Sequence, residues 1–535
     1  MSEIVLNLSR SGWVDGAGLK LRGSLALDDR LASVSEVSRH GQGRLSADLL
    51  ARLNGTFALA AQSGPVVQAA TDRIRSIPLF YATTTDRGYL TDDPYWLLQQ
   101  LPQQAEDPSA HAEFLLAGYV TGPATLASWI KQIQAGELVT LEAASDGIRL
   151  STERYFRYVP TTAEVGAPDR LLQDWDATLL RVFGRLVAGV TPRTIVVPLS
   201  GGGDSRTIVW MLRRLGYPHV LCYSYGTLGN PEADRSRSAA RRLGVPWLFV
   251  EYDRAKWARW YATSERLTYQ RFADGFSSIA HLQDWPAVWE LRRRGEVPDD
   301  AVFVPGHALD FLGGSHIPAH LTRRVPGPRA VGDAIWNAHY QLWRGGPTER
   351  LHARRRLAEA VADLPSATIA EVLASVETWD WQERQAKFIA NAVRVYEFWG
   401  YDWRLPYWDR ECVDFWTSVP PSLRRGSRLL AAATTKQLEE LGLTLPAPRL
   451  QDRMRAVAHK LPGGVRQAAA RRLRRTFPRQ QYVRHAMGWY GIMPWEVFRK
   501  LYSGREEINS FLALERLGRL PTAAKPDRAT QDPRR

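Results

Sequence analysis

The feature that most constrains this chain is a glycine-rich turn, Leu199-Ser200-Gly201-Gly202-Gly203-Asp204-Ser205, held between two segments of different period. Before it, Thr194–Leu199 is a continuous β-branched apolar run, the pattern of a strand buried on both faces. After it, Ser205–Leu215 reads as a helix, followed by a strand at His219–Tyr225, a helix at Pro231–Leu243 and a strand at Trp247–Tyr252. This alternation predicts a parallel sheet with right-handed crossovers. A helix from Leu171 to Val190, with Leu171, Trp175, Leu179, Val182, Phe183 and Leu186 on one face, leads into it. Glycines in such a turn let the backbone approach a phosphate, and the following helix offers unpaired N–H groups and its positive end. Ser200 and Ser205 add hydroxyl donors. No lysine follows the glycines, so this is not the G-x-x-x-x-G-K-[ST] loop, whose lysine reaches the β and γ phosphates.

Asp204 would repel a polyphosphate unless a magnesium ion lay between them, and one aspartate makes a thin metal site. A second candidate, Asp310, lies in Pro305-Gly306-His307-Ala308-Leu309-Asp310-Phe311-Leu312-Gly313-Gly314, directly after the short apolar run Ala301–Val304, which is expected to be another buried strand.

Residues 199–205 resemble the S-G-G-x-D-S signature of the ATP pyrophosphatase family, whose members hold the leaving pyrophosphate there while a substrate oxygen attacks the α-phosphorus. Residues 305–314 resemble the asparagine synthetase segment S-G-E-G-x-D-E-x-F-G-G. The resemblance implies ATP as co-substrate and Mg2+ held by Asp204 and Asp310. It also implies that Leu199, Ser200, Gly201, Gly202, Gly203, Asp204, Ser205, Ser224 and Gly306 surround the nucleotide and its pyrophosphate. Where the family has a glutamate three residues before the aspartate, this chain has His307; the glutamate after it is Phe311, and the spacing to Gly313-Gly314 is one residue short. Metal binding is expected to survive these changes and recognition of aspartate is not. A third stretch, Arg404-Leu405-Pro406-Tyr407-Trp408-Asp409, is similar to R-x-P-F-L-D, with Asp402 where a glutamate is usual. The family stabilises the pentavalent phosphorus with a lysine; Arg428 is the candidate for that role here, with Lys436 behind it.

The first 160 residues read as β-rich, with strands expected at Glu3–Leu8, Leu21–Leu27, Phe57–Ala61 and Val66–Ala69. Leu53-Asn54-Gly55-Thr56-Phe57-Ala58 resembles L-N-G-x-F-A of class II glutamine amidotransferases. Asp72-Arg73-Ile74-Arg75-Ser76-Ile77-Pro78-Leu79-Phe80-Tyr81 likewise resembles D-R-x-G-x-x-P-L-Y-Y. That domain hydrolyses glutamine with an N-terminal cysteine. Position 2 here is Ser2, whose hydroxyl is not ionised near neutrality, and the glutamine-binding N-G-E segment is absent from the first fifty residues. The two losses describe a retired glutaminase. Relatives without the cysteine, such as β-lactam synthetase and lasso-peptide cyclases, take an amine from the substrate itself.

The expected architecture is an α+β domain at 1–160, a β-sandwich flanked by helices and N-terminal-nucleophile-like. An α/β domain with a parallel sheet follows at 170–440, adenine nucleotide α-hydrolase-like, then a basic helical extension at 441–521 and a disordered tail at 522–535. The expected activity is that of a carbon–nitrogen ligase: ATP-dependent formation of an amide from a small-molecule, saccharide or peptide carboxylate and ammonia or an amine. A cyclising ligase of the same family and an RNA-modifying pyrophosphatase-loop enzyme stay open as alternatives. The second rests on the basic run Arg453, Arg455, Lys460, Arg466, Arg471, Arg472, Arg474, Arg475 and Arg479 within a net charge of +14. A homodimer is also left open. Only Cys222 and Cys412 occur, which argues against a disulfide framework and a structural zinc site. With no leader-like segment at the start and no apolar stretch of about 18 residues, a cytoplasmic location is expected.

Overall fold

The computed structural model describes residues 2–101, 105–164, 166–318, 326–440 and 475–520. Most of the basic run and the expected disordered tail lie outside the described residues.

The chain opens with two sheets. The smaller is ordered Glu3–Asn7, Arg87–Thr91, Phe80–Thr83 and Lys131–Gln132, its first pair parallel and the others antiparallel. The larger is antiparallel, running Gly147–Arg154, Glu137–Ala144, Val66–Thr71, Leu53–Ser63, Leu19–Leu27, Trp13–Gly16, with Arg30–Leu31 added to Leu19–Leu27. The sheets meet at Gly88, where a Cβ would stand 3.3 Å from both Ile148 and Ile4. Helices Val34–Gly41 and Ala47–Arg52 pack on the larger sheet through Val37, Leu49 and Leu50.

Helix Pro168–Val190 then leads into a five-stranded sheet ordered Trp247–Glu251, Val220–Gly226, Ile195–Pro198, Val302–Phe303, Asp402–Trp403, parallel throughout. The three strands and two helices read from the 194–252 alternation are all present. The strand Asp402–Trp403 was not expected: two residues among aromatics leave no alternation to read. The chain winds outward in one direction from Ile195–Pro198 and then resumes on its other side. The order therefore reverses beside this strand, and in open α/β sheets ligands bind at the carboxyl ends of the strands flanking such a reversal.

One apolar cluster runs from Ala58 and Phe80 in the first sheets through Ile195, Val196 and Phe303 to Leu512, so the two halves share a continuous core. Of the chain's 20 tryptophans, Trp175, Trp257, Trp285, Trp381 and Trp416 are fully buried in it and have a packing role. After about residue 260 the described chain is mainly helical. Helix Ile369–Asp380 continues as a π-helix, Trp381–Ile389, and the last helices gather around Tyr482, Tyr490, Phe498 and Phe511.

Candidate active site at the 199–205 loop

The glycine turn leaves the strand Ile195–Pro198 and feeds helix Gly203–Arg214, whose N-cap Gly202 brings no side-chain cap. The first N–H groups of that helix therefore face the turn without a capping acceptor. Ser205 Oγ accepts the Ser200 N–H at 3.0 Å and lies 3.1 Å from Ser200 Oγ, which in turn accepts the Gly202 N–H at 3.1 Å. The two oxygens accept these N–H groups and one hydroxyl donates to the other, so the serines shape the turn while the second hydroxyl keeps its proton available to a ligand. Ser224, on the neighbouring strand, is level with the start of the turn, because Leu199 N donates to Tyr223 O at 2.9 Å.

Gly306 presses on the turn from the other side of the reversal. A Cβ there would stand 2.8 Å from Ser205 N and 3.1 Å from its Cα, so only glycine lets the two loops meet. Two residues later Ala308 holds a left-handed φ of 88°, a strained conformation for a residue with a side chain. It starts the short helix Leu309–Leu312 and brings Asp310 to Asp204, whose Oδ2 accepts the Asp310 N–H at 3.0 Å. Burial, and then the Asp310 charge, push the Asp204 carboxyl up to about 7. Burial pushes Asp310 the same way, but His316 and the Phe311 N–H outweigh it and hold Asp310 below its ordinary value.

Behind Asp310 lies a polar chain that the sequence did not disclose. His316 Nε2 is 3.4 Å from Asp310 Oδ2, and its Nδ1 is 2.7 Å from Asp380 Oδ2. Asp310 is 57% exposed, His316 19% and Asp380 1%, so the chain runs from the cleft into the core. Burial opposes charge on His316, yet its two carboxylate partners raise it to about 9. Asp380 stays well below the usual range despite burial, held there by His316, His339 and Arg384. His339, 3.7 Å from Asp380, is driven down to about 4 by burial. Such a chain fixes the carboxylate it ends on, as outer partners do for metal-binding side chains. The π-helix serves both sides. Arg384 lies beside His316 and Asp380, while Gln382 and Glu383 reach Gln134 and Gly122 in loops of the N-terminal part.

The other sequence candidates divide. Tyr407 of the 404–409 stretch donates its hydroxyl to Asp204 O at 2.8 Å, but Asp409 caps helix Arg410–Ser418 and pairs with Arg185 at 2.9 Å. Asp402 starts its strand and pairs with Arg193 and Arg404, at the edge of the sheet away from the turn. Phe311 is fully buried against Tyr158 and Trp408. His307 is kept neutral, lowered to about 4 by burial, where the resemblance has a carboxylate. Helix Arg428–Glu440 packs on both loops through one face: Leu430 lies against Gly313, Thr434 lies 3.8 Å from a Cβ on Gly203, and Gln437 Oε1 accepts from Thr207 Oγ1 at 3.0 Å. At about 100° per residue these three share a face, and Arg428 falls roughly opposite, with its guanidinium on Ser422 O at 3.4 Å. Lys436 also leaves that face. The structure thus gathers Leu199–Ser205, Ser224, Gly306 and Asp310, and does not bring Arg428 to them.

Among the described residues no group of three or more His, Cys, Asp or Glu side chains could hold a metal ion. Two carboxylates suit magnesium, which keeps several waters and takes its remaining oxygens from phosphates, and the raised Asp204 is a group that a cation would return to its charged form.

The search for family models found no match. A curated protein does match part of the chain. The likeness is to an asparagine synthetase. Asparagine synthetase [glutamine-hydrolyzing] 1 of Bacillus subtilis (strain 168) is 25% identical over 201 residues, 36% of this chain and 30% of that protein. The chain thus spans under a third of this relative's length. Among solved structures, the allosteric regulatory enzyme of purine biosynthesis aligns over 44% of this chain and 60% of its own, with 12% identity and a TM-score of 0.18. Glutamine phosphoribosylpyrophosphate amidotransferase from B. subtilis, in complex with ADP and GMP, aligns over 48% and 72%, with 14% identity and a TM-score of 0.18. At that score neither structure carries an argument. Among the described residues no helix is long and apolar enough to cross a membrane.

Proposed function

We propose that this chain is a carbon–nitrogen ligase that activates a carboxylate as its acyl-adenylate at the 199–205 loop and then forms an amide. The observation that carries this reading is the meeting of Asp204 and Asp310 beside a glycine turn that has no Walker lysine, at the sheet's strand-order reversal. A substrate carboxylate oxygen bonds to the α-phosphorus of ATP. The bond from that phosphorus to the β-phosphate breaks, and its electron pair leaves with pyrophosphate. Ammonia or an amine then attacks the acyl carbon, loses a proton and displaces AMP. Magnesium held by Asp204 and Asp310 would offset phosphate charge. The turn's N–H groups bind the phosphates, and Gly306 allows the second loop to close on them.

The acceptor site departs from an aspartate-using enzyme. Neutral His307 and buried Phe311 replace two carboxylates that would favour an amino acid's ammonium group. A uronic acid or peptide carboxylate fits this better. We divide the chain into a sandwich at 1–160, N-terminal-nucleophile-like, and an adenylating domain at 170–440 of the adenine nucleotide α-hydrolase kind. We place it in the cytoplasm, where the free, buried Cys222 and Cys412 stay reduced. Incubation with cell extract and ATP is expected to trap an acyl-adenylate, and the acid it carries is expected to drive exchange of labelled pyrophosphate into ATP. Exchange that no carboxylic acid stimulates would overturn the proposal.

The sandwich serves as a scaffold in this reading. Purified protein is expected to release no glutamate from glutamine, and Ser2→Ala is expected to leave amide formation from ammonia or an amine unchanged. Glutamate release that matches AMP production and disappears in Ser2→Ala would restore a working glutaminase.

A further inference from the structure

The turn lacks the lysine that other phosphate loops place on the β and γ phosphates, so the charge on a departing pyrophosphate needs another partner. Two arginines stand at the turn. Arg235, on helix Pro231–Leu243, crosses directly over Gly201: a Cβ on that glycine would lie 2.6 Å from Arg235 Nε, 3.3 Å from its Cβ and 3.5 Å from its Cδ. Arg206, in the first turn of helix Gly203–Arg214, donates its Nε–H to Gly202 O at 2.7 Å. The two side chains therefore bracket the glycines from two different helices.

This is an unusual concentration of one sign. The Arg235 charge acts against that of Arg206, and the positive end of helix Gly203–Arg214 lies at the same turn. Among the described residues neither guanidinium is in an ion pair with a carboxylate; Asp204 is the acidic group whose charge acts on Arg206. Arg235 is exposed, yet its side chain lies across the Gly201 α-carbon, and Arg206, bonded to its own loop's carbonyl, is fixed in direction. An anion at the turn accounts for both positions.

We propose that Arg235 and Arg206 form the clamp for the pyrophosphate half of ATP, in place of a Walker lysine. The inference rests on reading the loop as adenylating. As the bond between the α-phosphorus and its bridging oxygen breaks, negative charge grows on the β-phosphate, where planar guanidiniums bind two oxygens at once. Gly201 is glycine so that Arg235 can pass.

The test is binding of magnesium pyrophosphate, with AMP as the comparison ligand. Arg235→Ala and Arg206→Ala are each expected to weaken pyrophosphate about tenfold to a hundredfold, the loss typical of a hydrogen bond to a charged group. AMP affinity is expected to change less than about twofold, and Arg235→Lys to recover part of the loss. Gly201→Ala changes no charge but displaces Arg235, so it should weaken pyrophosphate as Arg235→Ala does and add little in the double variant. Wild-type pyrophosphate affinity in both arginine variants, while the wild type converts ATP to AMP, would overturn the clamp and leave the loop's role standing. If the wild type makes ADP instead, the adenylating reading itself has failed.

Discussion

Asp204→Asn and Asp310→Asn are each expected to lower AMP formation at least about a hundredfold while the fold stays intact. Under the proposed function each would remove a charge that holds magnesium against the phosphates, and such a loss typically costs a few kcal/mol of transition-state stabilisation. The stability effect of Asp204→Asn has the opposite sign. An unfolded aspartate titrates near about 3.9, whereas burial and Asp310 raise the folded group to about 7. Between those values the native protein holds more protons than the unfolded chain. Metal-free stability therefore falls as pH rises through the window, and the penalty is complete above pH 7. Asn carries no such penalty. Metal-free Asp204→Asn is expected to be more stable than wild type at pH 7.5 by on the order of 1 kcal/mol, the partly open cleft discounting the effect, and to lose that advantage near pH 4. Thermal melts at the two pH values, with and without magnesium, check the sign. Equal melting at both would show that Asp204 is not strained by its surroundings.

Lys387→Met is expected to destabilise the protein by about 3–5 kcal/mol, the usual cost of leaving a buried charge without its partner. Lys387 and Glu383 are an ion pair on the π-helix, 0% and 1% exposed. The ammonium also donates to Gly122 O at 2.7 Å and Val120 O at 3.0 Å, while Glu383 accepts the Gly122 N–H at 3.0 Å. This pair ties the loop at 120–122 to the helix that carries Arg384. Glu383→Gln combined with Lys387→Met should cost clearly less than the sum of the single changes, since each removes the other's unpaired charge. Additive losses in denaturant titrations would mean the two residues act separately.

The glycine turn was legible because Gly201-Gly202-Gly203 interrupts a β-branched run and a helical period at one point. Strand and helix bounds around it came within a few residues for the same reason. Asp310 was legible as a carboxylate after a buried strand, but its approach to Asp204 was not, because that depends on the left-handed backbone at Ala308, which no local pattern announces. His316 and Asp380 are 64 residues apart and sit among glycines and tryptophans, where a lone histidine carries no period. Arg235 looked like one charge on a charged helix until its passage over Gly201 was visible. Arg428 lies on the face of its helix away from the turn: spacing from a motif says how far a residue lies along a helix, but the packing of Thr434 and Gln437 decides which face meets the turn.

The most direct test of the account is the fate of ATP in the presence of the trapped carboxylic acid and ammonia, followed with nucleotide labelled at the α and γ positions. The account predicts AMP and pyrophosphate in equal amounts, formed together with the amide. Formation of ADP and inorganic phosphate as the coupled products would contradict it.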